Sequence, residues 1–231
     1  MQRRGRVGSW NVGREFDRIY DSVRCAYPLM LDVSRRLVVI VGGGAVAARK
    51  AKGLLDAGAT RIRMISPEFC DGIPPAVERI VERYASGHLE GAGLVFAATN
   101  DAEVNAAVVN DANRLGLLVN RADASESQDS DFATPASLRH DNLVVAVSTG
   151  GSPALAAVIR DELGERLDPR WVEMAQAMKE LRPRALGIQS IEQRRQLFRD
   201  MTTSDAMNVL SRDGVEGLWN WLAQRHLQEK H

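Results

Sequence analysis

The chain lacks the features that define several large classes of protein. Its 231 residues include two cysteines, Cys25 and Cys70, too few for a disulfide framework. We therefore expect a reducing, cytoplasmic location. No apolar run approaches the ~20 residues of a membrane-spanning helix, and the Arg-rich segment before residue 25 has no apolar core typical of a secretory signal. We accordingly predict no membrane partner.

An excess of either charge is also absent. Lys and Arg together number 30, as do Asp and Glu, so the formal net charge is zero. Proteins that coat nucleic acid carry a basic excess, so we expect no nucleic-acid partner. No spacing of His, Cys and carboxylate side chains resembles a preformed metal site, and we predict no metal ligands.

The most informative stretch is an apolar run that leads directly into three glycines. Leu37–Val41 has the character of a buried parallel strand, and Gly42-x-Gly44-x-x-Ala47 fits the dinucleotide pattern G-x-G-x-x-G/A. Gly42 permits a tight turn, Gly44 admits a pyrophosphate close to the backbone, and Ala47 lets the following helix pack against the strand. The positive end of that helix then faces the phosphates.

Apolar strands alternate with helical patterns along the chain. We predict an α/β fold in residues 27–150, a Rossmann-like parallel sheet with helices on both faces. An extension, residues 1–26, precedes it. A small helical region, residues 151–231, follows, and we expect Pro183 and Gly214 to separate some of its helices. Within the sheet domain, Asn100 or Asp101 can cap the helix predicted from Ala102. Ligands should lie beyond the carboxyl ends of the strands, which we expect to share one edge. The main predicted strands are Leu37–Val41, Arg61–Ile65, Leu94–Ala98, Leu117–Asn120 and Leu143–Val147, and a short helix followed by a short strand is predicted within residues 73–83.

The end of the second strand bears on the choice of cofactor. Dinucleotide domains often place a ribose-binding acid here, and Glu68 lies about two residues late for that role, so Ser66 and backbone groups are alternatives. Residues 66–70 contain no Arg or Lys to hold a 2′-phosphate. The sequence therefore favours NAD over NADP.

Two further segments offer candidate chemistry. Asp123 follows the fourth strand, where a carboxylate can remove a proton while hydride leaves to NAD. The alternative is that Asp123 forms a turn or caps a helix, and Asp129 and Asp131 compete with it for the catalytic role. Ser148–Gly151 offers hydroxyls and backbone donors for a polar substrate, or forms a polar turn before a helix.

Five blocks occur in a fixed order along the chain: Tyr27–Asp32, Val41–Lys50, Ala97–Asn105, Val119–Asp123 and Val147–Ala156. In this order they resemble the precorrin-2 dehydrogenase/sirohydrochlorin ferrochelatase family, of the sirohaem synthase N-terminal type. The segment between Asp123 and Phe132 is longer and more acidic than is usual in that family.

The resemblance implies a homodimer, dimerised through its helical region, that oxidises the tetrapyrrole precorrin-2 to sirohydrochlorin with NAD. Asp123 corresponds to the family's catalytic aspartate, and the substrate side comprises Ser148, Thr149 and Gly150. Two alternatives stay open: an enzyme that also inserts ferrous iron, and a non-catalytic NAD(H)-sensing module. The implied NAD contacts are Gly42, Gly44, Ala45, Val46, Ser66, Pro67, Glu68 and Thr99.

Overall fold

The computed structural model describes residues 27–122 and 130–226. The predicted extension, residues 1–26, and the predicted base Asp123 lie outside the described residues. Internal contacts divide the chain into two units, one ending at Thr134 and the other beginning at Pro135. This division comes earlier in the chain than the predicted boundary after residue 150.

The first unit contains a parallel sheet, which confirms the predicted α/β class. Among the described residues its five strands lie in the order β3-β2-β1-β4-β5, and each neighbouring pair is parallel. A 3₁₀ turn at Ser86–Leu89 precedes β4. The strands are β1 (Leu37–Val41), β2 (Arg61–Ile65), β3 (Glu78–Ile80), β4 (Ala92–Ala97) and β5 (Val119–Arg121), and the helices are α1 (Ala45–Asp56) and α2 (Ala102–Arg114).

Alternation along β1 divides the core between the two faces of the sheet. Val38 and Ile40 point to the face covered by α1, whereas Val39 and Val41 point to the face covered by α2. All five β1 residues are buried, because helices cover both faces. The α1 side of the contact is made of Ala47, Ala48 and Ala51, whose small side chains bring the helix close to the sheet.

The strand order creates a switch point between β1 and β4. From β1 the chain passes through α1 to β2 on one side, and from β4 it passes through α2 to β5 on the other. The connections diverge at this point, so a crevice opens beyond the carboxyl ends of β1 and β4. The glycines Gly42–Gly44 follow β1 and therefore stand at this crevice.

The second unit begins with a hairpin that corrects one prediction. The strand β7 (Leu143–Val147) has the expected bounds, but it pairs antiparallel with β6 (Ala136–His140) in a separate sheet. Asp141 adopts the left-handed conformation, with φ +48°, at the turn between them. An apolar run predicts that a strand is buried, but it does not predict which strand pairs with it. The partner strand β6 has a mostly polar sequence, so no apolar run indicated that it was a strand.

Four helices complete the described part of the second unit, and its helical region agrees with the prediction. Pro183 lies inside α4, although a helix break was expected there. Gly214, with φ +70°, interrupts α6 near the expected break. No helix among the described residues is both long and apolar enough to cross a membrane. The helices are α3 (Pro153–Glu165), α4 (Arg170–Leu186), α5 (Ile191–Asp200) and α6 (Ser204–His226).

Candidate nucleotide-binding and active site

The glycine turn after β1 lies in close contact with the segments that follow β2 and β4. Gly42 has φ +135°, a conformation that favours glycine, and its N–H donates to the Ile65 carbonyl at 2.8 Å. A Cβ on Gly42 would lie 2.3 Å from the Ala98 carbonyl oxygen. On the other side, a Cβ on Gly43 would lie 2.0 Å from the Glu68 carbonyl oxygen. Both glycines are therefore required by close approach of backbone.

Gly44 is different, because it faces open space. It is the N-cap residue of α1, and an added Cβ would meet nothing within 4 Å. The first intrahelical bond runs from the Ala48 N–H to the Gly44 carbonyl at 3.0 Å. The preceding N–H groups of Ala45 and Val46 belong to the exposed first turn, and the N-cap glycine has no side chain that could accept from them.

The neighbouring helix α2 has the opposite arrangement. Asp101 caps it, and its Oδ1 accepts from the N–H groups of Glu103 and Val104 at 2.9 and 3.1 Å. The first turn of α1, by contrast, contains no acidic residue. The amide donors and positive end of α1 are thus exposed to an external anion, while the donors of α2 are satisfied internally. This arrangement fits the pyrophosphate of a dinucleotide.

The segment after β2 forms one wall of the crevice. The Ser66 N–H donates to the Ile80 carbonyl at 3.1 Å, which continues the strand pairing by one residue. Ser66 is half-buried, whereas Pro67 and Glu68 are exposed. The Cys70 N–H donates to the Gly43 carbonyl at 2.9 Å and ties this wall to the glycine turn. Ser66 and Glu68, the predicted ribose-side residues, therefore lie beside the glycine turn.

The opposite wall follows β4 and contains Thr99. Its backbone N–H and C=O both bond to the side chain of Asn105, at 3.1 and 3.0 Å. Asn105 is fully buried, although it lies on the apolar stripe of α2. Sequence reasoning missed this residue; the signal was a polar side chain at helical spacing from Val108, Val109 and Ala112.

Beyond β5, the returning chain covers the edge of the sheet. The Val119 N–H donates to Asp131 Oδ2 at 2.9 Å, and the Asp131 N–H donates to the Val119 carbonyl at 2.9 Å. Asn120, which is buried, donates from Nδ2 to the Phe132 carbonyl at 2.8 Å. Asp131, one of the competing acids, therefore serves as a strand-edge partner.

Lys50 connects this returning chain to α1. Its Nζ donates to Thr134 Oγ1 at 2.5 Å and lies 5.4 Å from the centroid of the Phe96 ring. Phe96 in turn meets Phe132 edge-to-face, with ring centroids 5.4 Å apart. Burial lowers the pKa of the Lys50 ammonium, and the charge of Arg49 lowers that pKa further. Lys50 is thus a second structural residue that the sequence pattern did not reveal.

The predicted substrate residues Ser148, Thr149 and Gly150 belong to the second unit. They follow β7, so they do not follow a strand of the parallel sheet, contrary to the expectation of one shared edge. The Thr149 hydroxyl donates to the Ser152 carbonyl at 2.7 Å, and Ser152 Oγ caps α3 by accepting from the Leu155 N–H at 3.3 Å. Ser148 and Gly150 are exposed.

Across residues 27–122 and 130–226, no group of three or more His, Cys, Asp or Glu side chains is arranged to hold a metal ion. A partly buried contact in the second unit joins His226 Nε2 to Asp200 Oδ2 at 2.7 Å. It lies in the helical part, where Gln196 also donates to the same carboxylate, and it ties α5 to α6.

Comparison with known proteins agrees with this geometry. Residues 29–136 match a family described as "Putative NAD(P)-binding". The chain is 35% identical over 201 residues to siroheme synthase 2 of Aeromonas hydrophila, covering 84% of this chain and 42% of that protein. It is 42% identical over 143 residues to the siroheme synthase of Chromobacterium violaceum, covering 59% of this chain and 30% of that protein. The chain thus spans less than half the length of these relatives.

A solved structure described as "SirC, precorrin-2 dehydrogenase" superposes with a TM-score of 0.70 at 26% identity, covering 86% of this chain and all of that one. Fold and site together define a Rossmann-type domain that binds a nicotinamide dinucleotide. The sequence relatives and this solved structure together support the precorrin-2 dehydrogenase/sirohaem synthase N-terminal family for this chain.

Proposed function

We propose that this protein oxidises precorrin-2 to sirohydrochlorin with NAD as the hydride acceptor. The observation that carries the proposal is the uncapped N-terminus of α1 at the switch point, with Gly44 open to solvent. The likeness to a precorrin-2 dehydrogenase and to siroheme synthases supplies the substrate class. Bound NAD supplies hydride-accepting chemistry that protein side chains lack.

The residues around the crevice bind and orient the dinucleotide in this proposal. The open backbone at Gly44, with the N–H groups of Ala45 and Val46, takes the pyrophosphate. Pro67 and Thr99 flank the crevice on its two walls. Ser66 and Glu68 face the ribose hydroxyls, and a carboxylate at this end of β2 repels a 2′-phosphate. We therefore favour NAD over NADP.

Asp123 is the proposed general base. It follows β5 by two residues, and β5 is the strand beside β4 at the crevice. A carboxylate there accepts the proton that the macrocycle loses as hydride departs. Ser148, Thr149 and Gly150 are the proposed substrate contacts. Because the Thr149 hydroxyl already donates to Ser152, its oxygen remains to accept from the substrate.

We further propose a homodimer built through the second unit. Leu155, Val158, Ile159 and Leu163 recur at i, i+3, i+4 and i+8, so they share one face of α3. All four are exposed, with Val158 55% accessible. A continuous apolar stripe of this kind is typical of a surface that a partner covers.

The direct test supplies the full-length protein with precorrin-2 and NAD. We expect NADH and sirohydrochlorin to form in equal amounts, followed by absorbance and by separation of the tetrapyrroles. A folded protein that binds NADH but forms neither product would contradict the proposal and favour an NAD(H)-sensing module. Adding ferrous iron to sirohydrochlorin in a parallel assay, against the spontaneous rate, tests iron insertion separately.

Two substitutions test the proposed base. Asp123→Ala should lose turnover by about 10²-fold or more, the scale of general base catalysis, while NADH binding is retained. Asp129→Ala, which removes a competing acid of the same segment, should retain turnover. Loss of turnover in Asp129→Ala with normal turnover in Asp123→Ala would assign the role to Asp129 instead.

A further inference from the structure

The side chain of Asn105 hydrogen-bonds to both backbone groups of Thr99, a residue of the crevice wall. Asn105 Oδ1 accepts from the Thr99 N–H at 3.1 Å, and Asn105 Nδ2 donates to the Thr99 carbonyl at 3.0 Å. The Asn105 backbone N–H also donates to the Asp101 carbonyl at 3.0 Å, as the first bond of α2. The end of β4 and the start of α2 are thereby locked together.

The hydroxyl of Thr99 takes part in the same lock. It lies 2.7 Å from Asn105 Oδ1 and 3.0 Å from the Asp101 carbonyl, and it accepts from the Asp101 N–H at 3.1 Å. The hydroxyl proton is therefore used within the loop. The Thr99 hydroxyl therefore shapes the wall of the crevice and does not act as a donor to a ligand.

The wall that Asn105 fixes touches the glycine turn through Ala98. The Ala98 N–H donates to the Val41 carbonyl at 2.8 Å, and a Cβ on Gly42 would lie 2.3 Å from the Ala98 carbonyl oxygen. The two backbones are in direct contact with no side chain between them. A shift of Thr99 is therefore transmitted to the turn that precedes Gly44.

We propose that Asn105 is a positioning residue for the nicotinamide dinucleotide: its buried amide fixes the Thr99 wall of the crevice that opens beyond the carboxyl ends of β1 and β4. The inference rests on the proposed function, because it assumes that NAD binds in this crevice. Asn105 contacts Thr99 rather than the nucleotide, so its loss should weaken binding of NAD without removing a chemical group from the reaction.

The test compares Asn105→Ala with the unaltered protein. We expect the KM for NAD and the Kd for NADH to rise by about tenfold, the scale of losing a few buried hydrogen bonds. The kcat at saturating NAD should stay within about twofold, since no transition-state contact is removed. A lower melting temperature with unchanged KM for NAD would show a purely structural role and overturn the proposal.

Three further variants make the result decisive. Asn110→Ala changes an exposed asparagine of the same helix and should leave the KM for NAD unchanged. Asn105→Asp keeps volume and acceptor but loses the donor, so it should also raise KM, and it decides the matter where the alanine variant does not fold. Thr99→Val should raise KM less than Asn105→Ala; an equal rise would make the hydroxyl itself the contact and overturn the proposal.

Measurements of NADH binding and turnover in the unaltered protein distinguish a failure of the Asn105 proposal from a failure of the proposed function. Absence of NADH binding or of turnover in that protein contradicts the proposed function. Normal binding and turnover there, with unchanged KM for NAD in both Asn105 variants, contradicts only the role of Asn105.

Discussion

The three consecutive glycines after β1 allow stability and nucleotide affinity to be tested separately. Alanine at Gly43 would place a Cβ 2.0 Å from the Glu68 carbonyl oxygen and 2.7 Å from Ser66 Oγ. Alanine at Gly42 would place one 2.3 Å from the Ala98 carbonyl oxygen, and its φ of +135° adds strain. Alanine at Gly44 meets nothing within 4 Å, and its φ of −88° suits any residue.

The magnitudes follow from these distances. A backbone clash with no flexible side chain to yield should lower the free energy of unfolding by about 3 kcal/mol or more in Gly43→Ala, at the upper end of overpacking. Gly42→Ala should lose a similar amount, since a strained φ alone costs about 1–3 kcal/mol. Gly44→Ala should change stability by less than about 1 kcal/mol, because Gly and Ala differ modestly at an N-cap.

Nucleotide affinity should show the reverse pattern. The methyl group of Gly44→Ala occupies the space through which a pyrophosphate reaches the helix N-terminus. We expect the Kd for NADH to rise about 10²-fold, or about 2.7 kcal/mol, with the fold retained. Fluorescence titration with NADH measures the affinity, and urea denaturation measures the free energy of unfolding.

Gly53→Ala is the matched control within α1. Gly53 is exposed in the same helix, and an added Cβ meets nothing within 4 Å. This variant should gain up to about 1 kcal/mol in stability through helix propensity and bind NADH normally. Normal NADH binding by Gly44→Ala would refute the reasoning, because the pyrophosphate would then not approach Gly44.

Three other predictions concern the cap of α2, the edge of the sheet at β5 and the proposed dimer surface. Asp101→Ala should lower the free energy of unfolding by about 1 kcal/mol, measured by urea denaturation, because α2 loses its cap. Asp131→Ala should lower the free energy of unfolding by about 1–3 kcal/mol, because the buried Val119 N–H loses its acceptor. Asp131→Asn keeps an acceptor oxygen and should retain most of that free energy. Equal losses in the two variants would contradict the role of Asp131 as the acceptor for Val119. Val158→Lys should convert the proposed dimer to a monomer in sedimentation, and a monomeric unaltered protein would refute the dimer.

The features predictable from sequence were those encoded by neighbouring residues. The run Leu37–Val41 and the small residues after it define a strand, a turn and a helix within 15 positions, and the structure has them at those positions. The Asp101 cap and the helix break at Gly214 are equally local, since each depends on the backbone of adjacent residues. Local chemistry was sufficient for these elements.

The features that escaped prediction depend on distant partners. The apolar run of β7 fits a parallel sheet as well as a hairpin, and only its pairing with the polar strand β6 decides between them. From sequence alone, the carboxylate of Asp131 is a catalytic candidate. In the structure it accepts a hydrogen bond from the N–H of Val119, twelve residues earlier in the chain. The role of Asn105 likewise requires the position of Thr99, which its own helix does not specify.

The contrast between the two helix N-termini has an evolutionary consequence. An aspartate at Gly44 would supply α1 with the cap that Asp101 gives α2 and would stabilise it by a few tenths of a kcal/mol up to about 1 kcal/mol. The same carboxylate would repel the phosphates that the open helix end attracts. Selection for a more stable fold and selection for a bound dinucleotide therefore act in opposite directions at this position, so gains in stability have to arise elsewhere in the chain.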